Sequence, residues 1–96
     1  MKVNFNRSFK DCNGKEISGD DIAHSVAEAL FFYGKGKPVS RDDKFRAYLL
    51  SQRIIANGGV TEMTTEEASL IKEVCGEAFT AGGYGQVCEL IENNKQ

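Results

Sequence analysis

The chain has 96 residues, 41% of them hydrophobic, and a formal net charge of −2. That length supports a single domain over 1–96 with a modest core, and the composition lies well above the disordered range. No apolar run approaches the roughly 20 residues of a membrane span, and the opening MKVNFNRSF has no apolar signal-peptide core, so a cytoplasmic protein with no membrane partner is expected.

Residues 1–18 read as a β-hairpin. Val3, Phe5 and Phe9 alternate with Asn4, Asn6 and Ser8, the period of a half-buried strand. Asn13-Gly14 marks the turn. A two-residue turn places Ile17 opposite Lys10. A three-residue loop, Cys12 to Gly14 with Gly14 in the left-handed region, places Ile17 opposite Phe9 and is preferred, because it sets apolar beside apolar.

Residues 20–92 read as a helical part. A first helix carries Ile22, Val26, Leu30 and Tyr33 on one stripe, with Ala23, Ala27 and Phe31 beside it. Asp20 and Asp21 suit its amino end and Gly34 its stop. After the linker KGKPVS, Ser40 opens a second helix, with Asp43 in the place of the usual capping-box Glu. Phe45, Leu49, Gln52 and Ala56 form the row expected to be buried, widened by Tyr48 and Ile55. Asn57-Gly58-Gly59 ends this helix, and residues 60–63, VTEM, are a candidate third strand. Thr64 and Glu67 match a capping box at the head of a third helix whose buried stripe is Leu70, Ile71, Val74, Cys75 and Ala78. A glycine joint then leads into a short fourth helix from about Tyr84 to Glu92, burying Val87, Cys88, Leu90 and Ile91. Residues 93–96 are expected to fray. The fold class is therefore α+β: an N-terminal hairpin, with or without a third strand, packed on three to four helices.

The segment FTAGGYGQVCELIE invites three functional readings. A dinucleotide-binding loop needs its glycines after a strand, and here they follow a helix. A helix-turn-helix fits the spacing of Ala78, Gly82, Cys88 and Ile91. Its would-be recognition helix, however, holds two glutamates and no Lys or Arg, so phosphates would be repelled. The third reading, a tight joint in which Gly82, Gly83 and Gly85 let the chain reverse, is preferred. Duplex DNA is not an expected ligand.

Other chemistry is sparse. Three cysteines, Cys12, Cys75 and Cys88, are an odd number with no metal-site spacing, so reduced thiols are expected rather than a disulfide scaffold or zinc. His24 has no nucleophile at a motif spacing. No catalytic constellation assembles, and neither enzyme activity nor a cofactor is expected. Charge is uneven: residues 1–53 hold ten Lys/Arg against seven Asp/Glu, and residues 54–96 two against seven. The basic segment 35–46, with Lys35, Lys37, Arg41, Lys44 and Arg46, lies beside aromatics and is a candidate nucleic-acid contact.

VNFNRSFKDCNGKEI, the alanine-bearing helix after it and the ending MTTEEASLIKEVCGEAFTAGGYGQVCELIE together resemble small uncharacterised proteins of tailed bacteriophages and prophages. Those often begin with an F-x-F-x-D-x-x-G-x-E-I strand and turn, matched by Phe5, Phe9, Asp11, Gly14, Glu16 and Ile17 with a longer gap between the phenylalanines. The resemblance implies an accessory or assembly protein that acts by contact. The expected function is thus a non-enzymatic protein-binding module, with Val3, Phe5 and Phe9 on an open strand edge as its contact residues and a homodimer through that strand as the simplest assembly. A second expected surface is the acidic face of the last two helices. The alternative is a nucleic-acid-binding regulator using segment 35–46.

Overall fold

The computed structural model describes residues 1–93. Its elements in chain order are β1 (Lys2–Asn4), β2 (Ser8–Lys10), β3 (Glu16–Asp21), α1 (Ile22–Phe31), α2 (Arg41–Ala56), β4 (Val60–Glu62), α3 (Thr65–Ala78) and α4 (Ala81–Glu92), an α+β fold. No helix among the described residues is long and apolar enough to cross a membrane. The tail expected over 93–96 lies outside the described residues, apart from Asn93, which caps α4.

The N-terminal segment is not one strand. The Asn4 side-chain oxygen accepts from the Asn6 amide (2.8 Å), and the Arg7 amide turns back to the Phe5 carbonyl (2.8 Å). These local bonds compete with a ladder and bend the chain. Before the bend, β1 pairs antiparallel with β4, Val3 opposite Thr61. After it, β2 pairs antiparallel with β3. The candidate third strand therefore joins β1 in a sheet of its own. In the hairpin, Lys10 stands opposite Glu16, the register that a three-residue Cys12–Gly14 loop requires, and Gly14 has φ +84°. The three-residue loop is present, but the register then shifts, with Ser8 opposite Asp21, so the ladder does not carry the expected Phe9–Ile17 pair, and Ile17 is exposed.

The caps follow the sequence closely. Asp21 caps α1 by accepting from the His24 amide, Ser40 caps α2 by accepting from the Asp43 amide, and Thr64 and Glu67 form a full capping box on α3. Each satisfies amides that a helix start leaves without partners. The core gathers Val3 and Phe5 with Ile22, Val26 and Leu30 of α1, Leu50 and Ile54 of α2, Ile71, Val74 and Cys75 of α3, and Val87 and Ile91 of α4. Burial pushes the Cys75 thiol up to about 12, as an apolar site disfavours thiolate; Cys12 is exposed and Cys88 half-buried.

Two helices also depart from expectation, besides Ala78 of α3, which is exposed rather than buried. First, α4 begins at Ala81, so Gly82, Gly83 and Gly85 lie inside the helix. The reversal is made by extended Phe79 and Thr80, and the glycines do not form the joint. Second, α2 is turned about its axis. Its buried residues are Ala47, Leu50, Ser51 and Ile54. The row expected in the core, Phe45, Leu49, Gln52 and Ala56 with Tyr48 and Ile55, faces solvent. Small residues are buried on both packed helices, Ala23 and Ala27 on α1 and Ala47 and Ser51 on α2, and small side chains let helix axes approach. The Ser51 hydroxyl donates to the Tyr48 carbonyl (2.7 Å), so burying it leaves no unmet bond.

Candidate functional site: an exposed aromatic face on α1 and α2

With α2 turned this way, large apolar side chains collect outside the core. Phe31 and Phe32 at the end of α1, and Phe45, Tyr48, Leu49 and Ile55 on α2, are each between 43% and 65% exposed. Spacings of three, four and seven residues put Phe45, Tyr48, Leu49, Gln52 and Ile55 on one helical face. The rings touch in sequence. Phe32 meets Phe31 edge-on at 5.2 Å between centroids, Phe31 meets Tyr48 at 6.0 Å, and Tyr48 lies nearly parallel to Phe45 at 6.4 Å. At about 200 Å² per aromatic side chain, the exposed parts of these six residues amount to roughly 600 Å². That is the upper end of the largest patch on an ordinary monomer.

Two of the charges near this face are turned toward α3. Arg53 is held toward α3, donating to both Glu67 carboxylate oxygens (3.1 and 3.0 Å) and to the Glu62 carbonyl (3.0 Å). The guanidinium holds the Glu67 carboxyl below its ordinary value, against the opposing effect of burial and with help from the Thr64 amide. Arg46 lies 3.9 Å from Asp43 and lines a shallow hollow with Thr65, Ser69 and Glu73 of α3. Lys37 pairs with Glu77 of α3. Lys35, Arg41 and Lys44 have no ion-pair partner among the described residues. Thus, of the five candidate nucleic-acid contacts, Arg41 and Lys44 lie by helical spacing at the amino-terminal end of the aromatic face, Lys35 is exposed after α1, and Lys37 and Arg46 pair within the chain.

The strand-edge residues are placed otherwise. Val3 and Phe5 are fully buried because both side chains enter the core, while β4 occupies one edge of β1. They offer no contact surface, and a homodimer through the N-terminal strand loses the apolar face on which it was argued. Phe9 is half-buried and packs edge-on against Phe79 at 6.0 Å. The acidic face of α3 and α4 is partly spent inside the chain: Glu73 accepts from the Tyr33 hydroxyl (3.3 Å), Glu77 pairs with Lys37, and Glu92 pairs with Lys72.

His24 is exposed, and its Nδ1 lies 2.9 Å from the Asp21 carboxylate, whose pKa is lowered chiefly by the His24 backbone amide. This is cap geometry, and it brings no nucleophile together with a base. Sequence reasoning did find the residues of the aromatic face but assigned them to the core. Periodicity alone could not have placed them outside, because apolar residues occupy two sides of α2, Ala47, Leu50 and Ile54 on one and Phe45, Tyr48 and Leu49 on the other. No family model, no curated protein and no solved structure matches the chain.

Proposed function

We propose that this chain is a non-enzymatic protein-binding module whose contact surface is the face built by Phe31, Phe32, Phe45, Tyr48, Leu49 and Ile55. The observation that supports the reading is the continuous run of half-exposed rings from Phe32 to Phe45. Rings left in water cost free energy that burial against another surface recovers, at roughly 25 cal/mol per Å². Aromatic residues also anchor protein interfaces more than other residue types do. The resemblance to small tailed-bacteriophage proteins supports an accessory or assembly setting for such a contact.

Capture experiments with immobilised protein test this. Partners retained by the wild type should be lost with Tyr48→Glu, which puts a charge at the centre of the face, and kept with Glu89→Lys, which alters the acidic side of α4. Equal capture by the wild type and Tyr48→Glu would contradict the proposal.

A second reading has one observation in its favour. Exposed rings with Arg41 and Lys44 at one end of their face suit stacking on single-stranded nucleic acid. Asp42, next to Arg41 in the chain, and the net charge of −2 weigh against it, since phosphate neutralisation supplies most of such affinity. Salt-sensitive binding of a labelled single-stranded oligonucleotide, lost with Lys44→Glu, would favour this reading over the first.

A further inference from the structure

We infer that the partner covering this face is a second copy of the chain, docked as a two-fold pair with α2 antiparallel to α2 of the other copy. This rests on the reading of the face as a contact surface and names its occupant.

Three observations carry it. The first is area. Two copies hiding roughly 600 Å² each would bury about 1,200 Å², the lower end of what specific protein interfaces bury. The second is charge. An isologous contact repeats every pairing twice, residue i on j and j on i, so an unpaired charge on the strip would be buried at two places. From Phe45 to Ile55 the sequence holds just two charges, Arg46 and Arg53, and both are held toward α3, Arg46 beside Asp43 and Arg53 on Glu67. The strip is uncharged over that length and can face itself without burying an unpaired charge.

The third observation is register. The strip spans about 15 Å of helix from Phe45 to Ile55. An antiparallel pair centred near Leu50 sets Phe45 of one copy against Ile55 of the other at both ends. It also sets Tyr48 of one against Gln52 of the other. Gln52 is the one polar side chain on the strip between Phe45 and Ile55 apart from the Tyr48 hydroxyl, and this register gives its amide that hydroxyl as a partner, twice by symmetry. A polar group that finds its partner in one alignment alone fixes alignment, as buried polar residues do in coiled coils. Phe31 and Phe32 stand beside Tyr48 and extend the strip along one flank.

The test is sedimentation equilibrium of the full chain, with Phe45→Lys and Ile55→Glu measured separately and then mixed in equal amounts. Both positions are exposed, so circular dichroism should show each variant folded. The wild type should sediment as a dimer at high micromolar concentration. Each variant alone places the lesion at both ends of the pair and should raise the dissociation constant at least about a hundredfold, tenfold per end. The mixture should dimerise again. At one end of the mixed pair the introduced lysine meets the introduced glutamate, and at the other the native Phe45–Ile55 contact is kept. A monomeric wild type, a dimer indifferent to both variants, or a mixture that stays monomeric would each overturn the inference. A monomeric wild type that still captures another protein in a Tyr48-dependent way would leave the contact-surface reading standing and remove this one alone. If that capture also fails, both fall.

Discussion

Gly59 and Gly85 look alike in the sequence, each next to or near another glycine, yet the structure uses them differently. Gly59 has φ +91°, and a Cβ there would meet the Ala23 Cβ at 3.0 Å and the Asn6 amide nitrogen at 3.1 Å. It sits where α2 hands over to β4, and its carbonyl accepts from Phe5 (2.7 Å). Gly85 lies in the helical interior of α4 with open space around it. Gly59→Ala should therefore cost at least about 2 kcal/mol, from left-handed strain and a clash with backbone. Gly85→Ala should stabilise by about 0.5–1 kcal/mol, the usual gain in a helix. Urea unfolding of the two variants checks both signs, and stabilisation by Gly59→Ala would refute the backbone described here. The glycine cluster misled because glycine is read first as punctuation, while the three caps Asp21, Ser40 and Thr64 were legible because a cap needs just its own helix start.

Glu67 shows a second residue-scale effect. It closes the α3 capping box and receives both Arg53 donors, so one carboxylate ties α3 to α2. Its folded pKa is lowered, chiefly by the Arg53 hydrogen bonds. A lowered carboxyl contributes stability that is fully present above its unfolded value, about 4.3, and that contribution is lost as pH falls through the folded value. Stability should thus drop on acidification through that window. Glu67→Gln should be less stable at neutral pH, by about 1–2 kcal/mol, and should lose less on acidification. Parallel pH profiles for wild type and variant would contradict a special role for this carboxylate.

At the scale of elements, α2 decides the outcome. Apolar residues occur on two of its sides, and periodicity alone favours the side with the larger residues, Phe45, Tyr48 and Leu49. Packing selects the other, where Ala47 and Ser51 admit α1 closely and Leu50 and Ile54 fill the core. Adjacent leucines make the contrast measurable. Leu50→Ala should cost about 2–5 kcal/mol through a core cavity, whereas Leu49→Ala should cost less than about 1 kcal/mol in dilute protein. The reverse order would put the aromatic face inside. The split N-terminal strand was hidden for a different reason: β1 finds its partner in β4, far along the chain, and a local alternation carries no information about such pairing. The β2–β3 turn was readable because Asn13-Gly14 lies within the hairpin itself.

For the whole molecule, the uneven charge seen in the sequence resolves into internal ties and a weakly basic rim. Lys37–Glu77, Lys72–Glu92 and Arg53–Glu67 join elements across the fold, while Arg41 and Lys44 lie at the amino-terminal end of the aromatic face. The fold class was legible, since helix stripes and caps are local. The exposed aromatic face was not, since its location depends on which side of one helix the rest of the chain covers. Turned outward by α2, Phe45 and Tyr48 form the face proposed to be covered by another protein molecule. Paramagnetic relaxation of side-chain ring signals by a neutral soluble probe, read from low micromolar to high micromolar protein, tests this most directly. Phe31, Phe45 and Tyr48 should relax strongly in dilute protein and less as concentration rises, and buried Phe5 should relax weakly throughout. Rings of Phe45 and Tyr48 as shielded as Phe5 in the most dilute sample would contradict this.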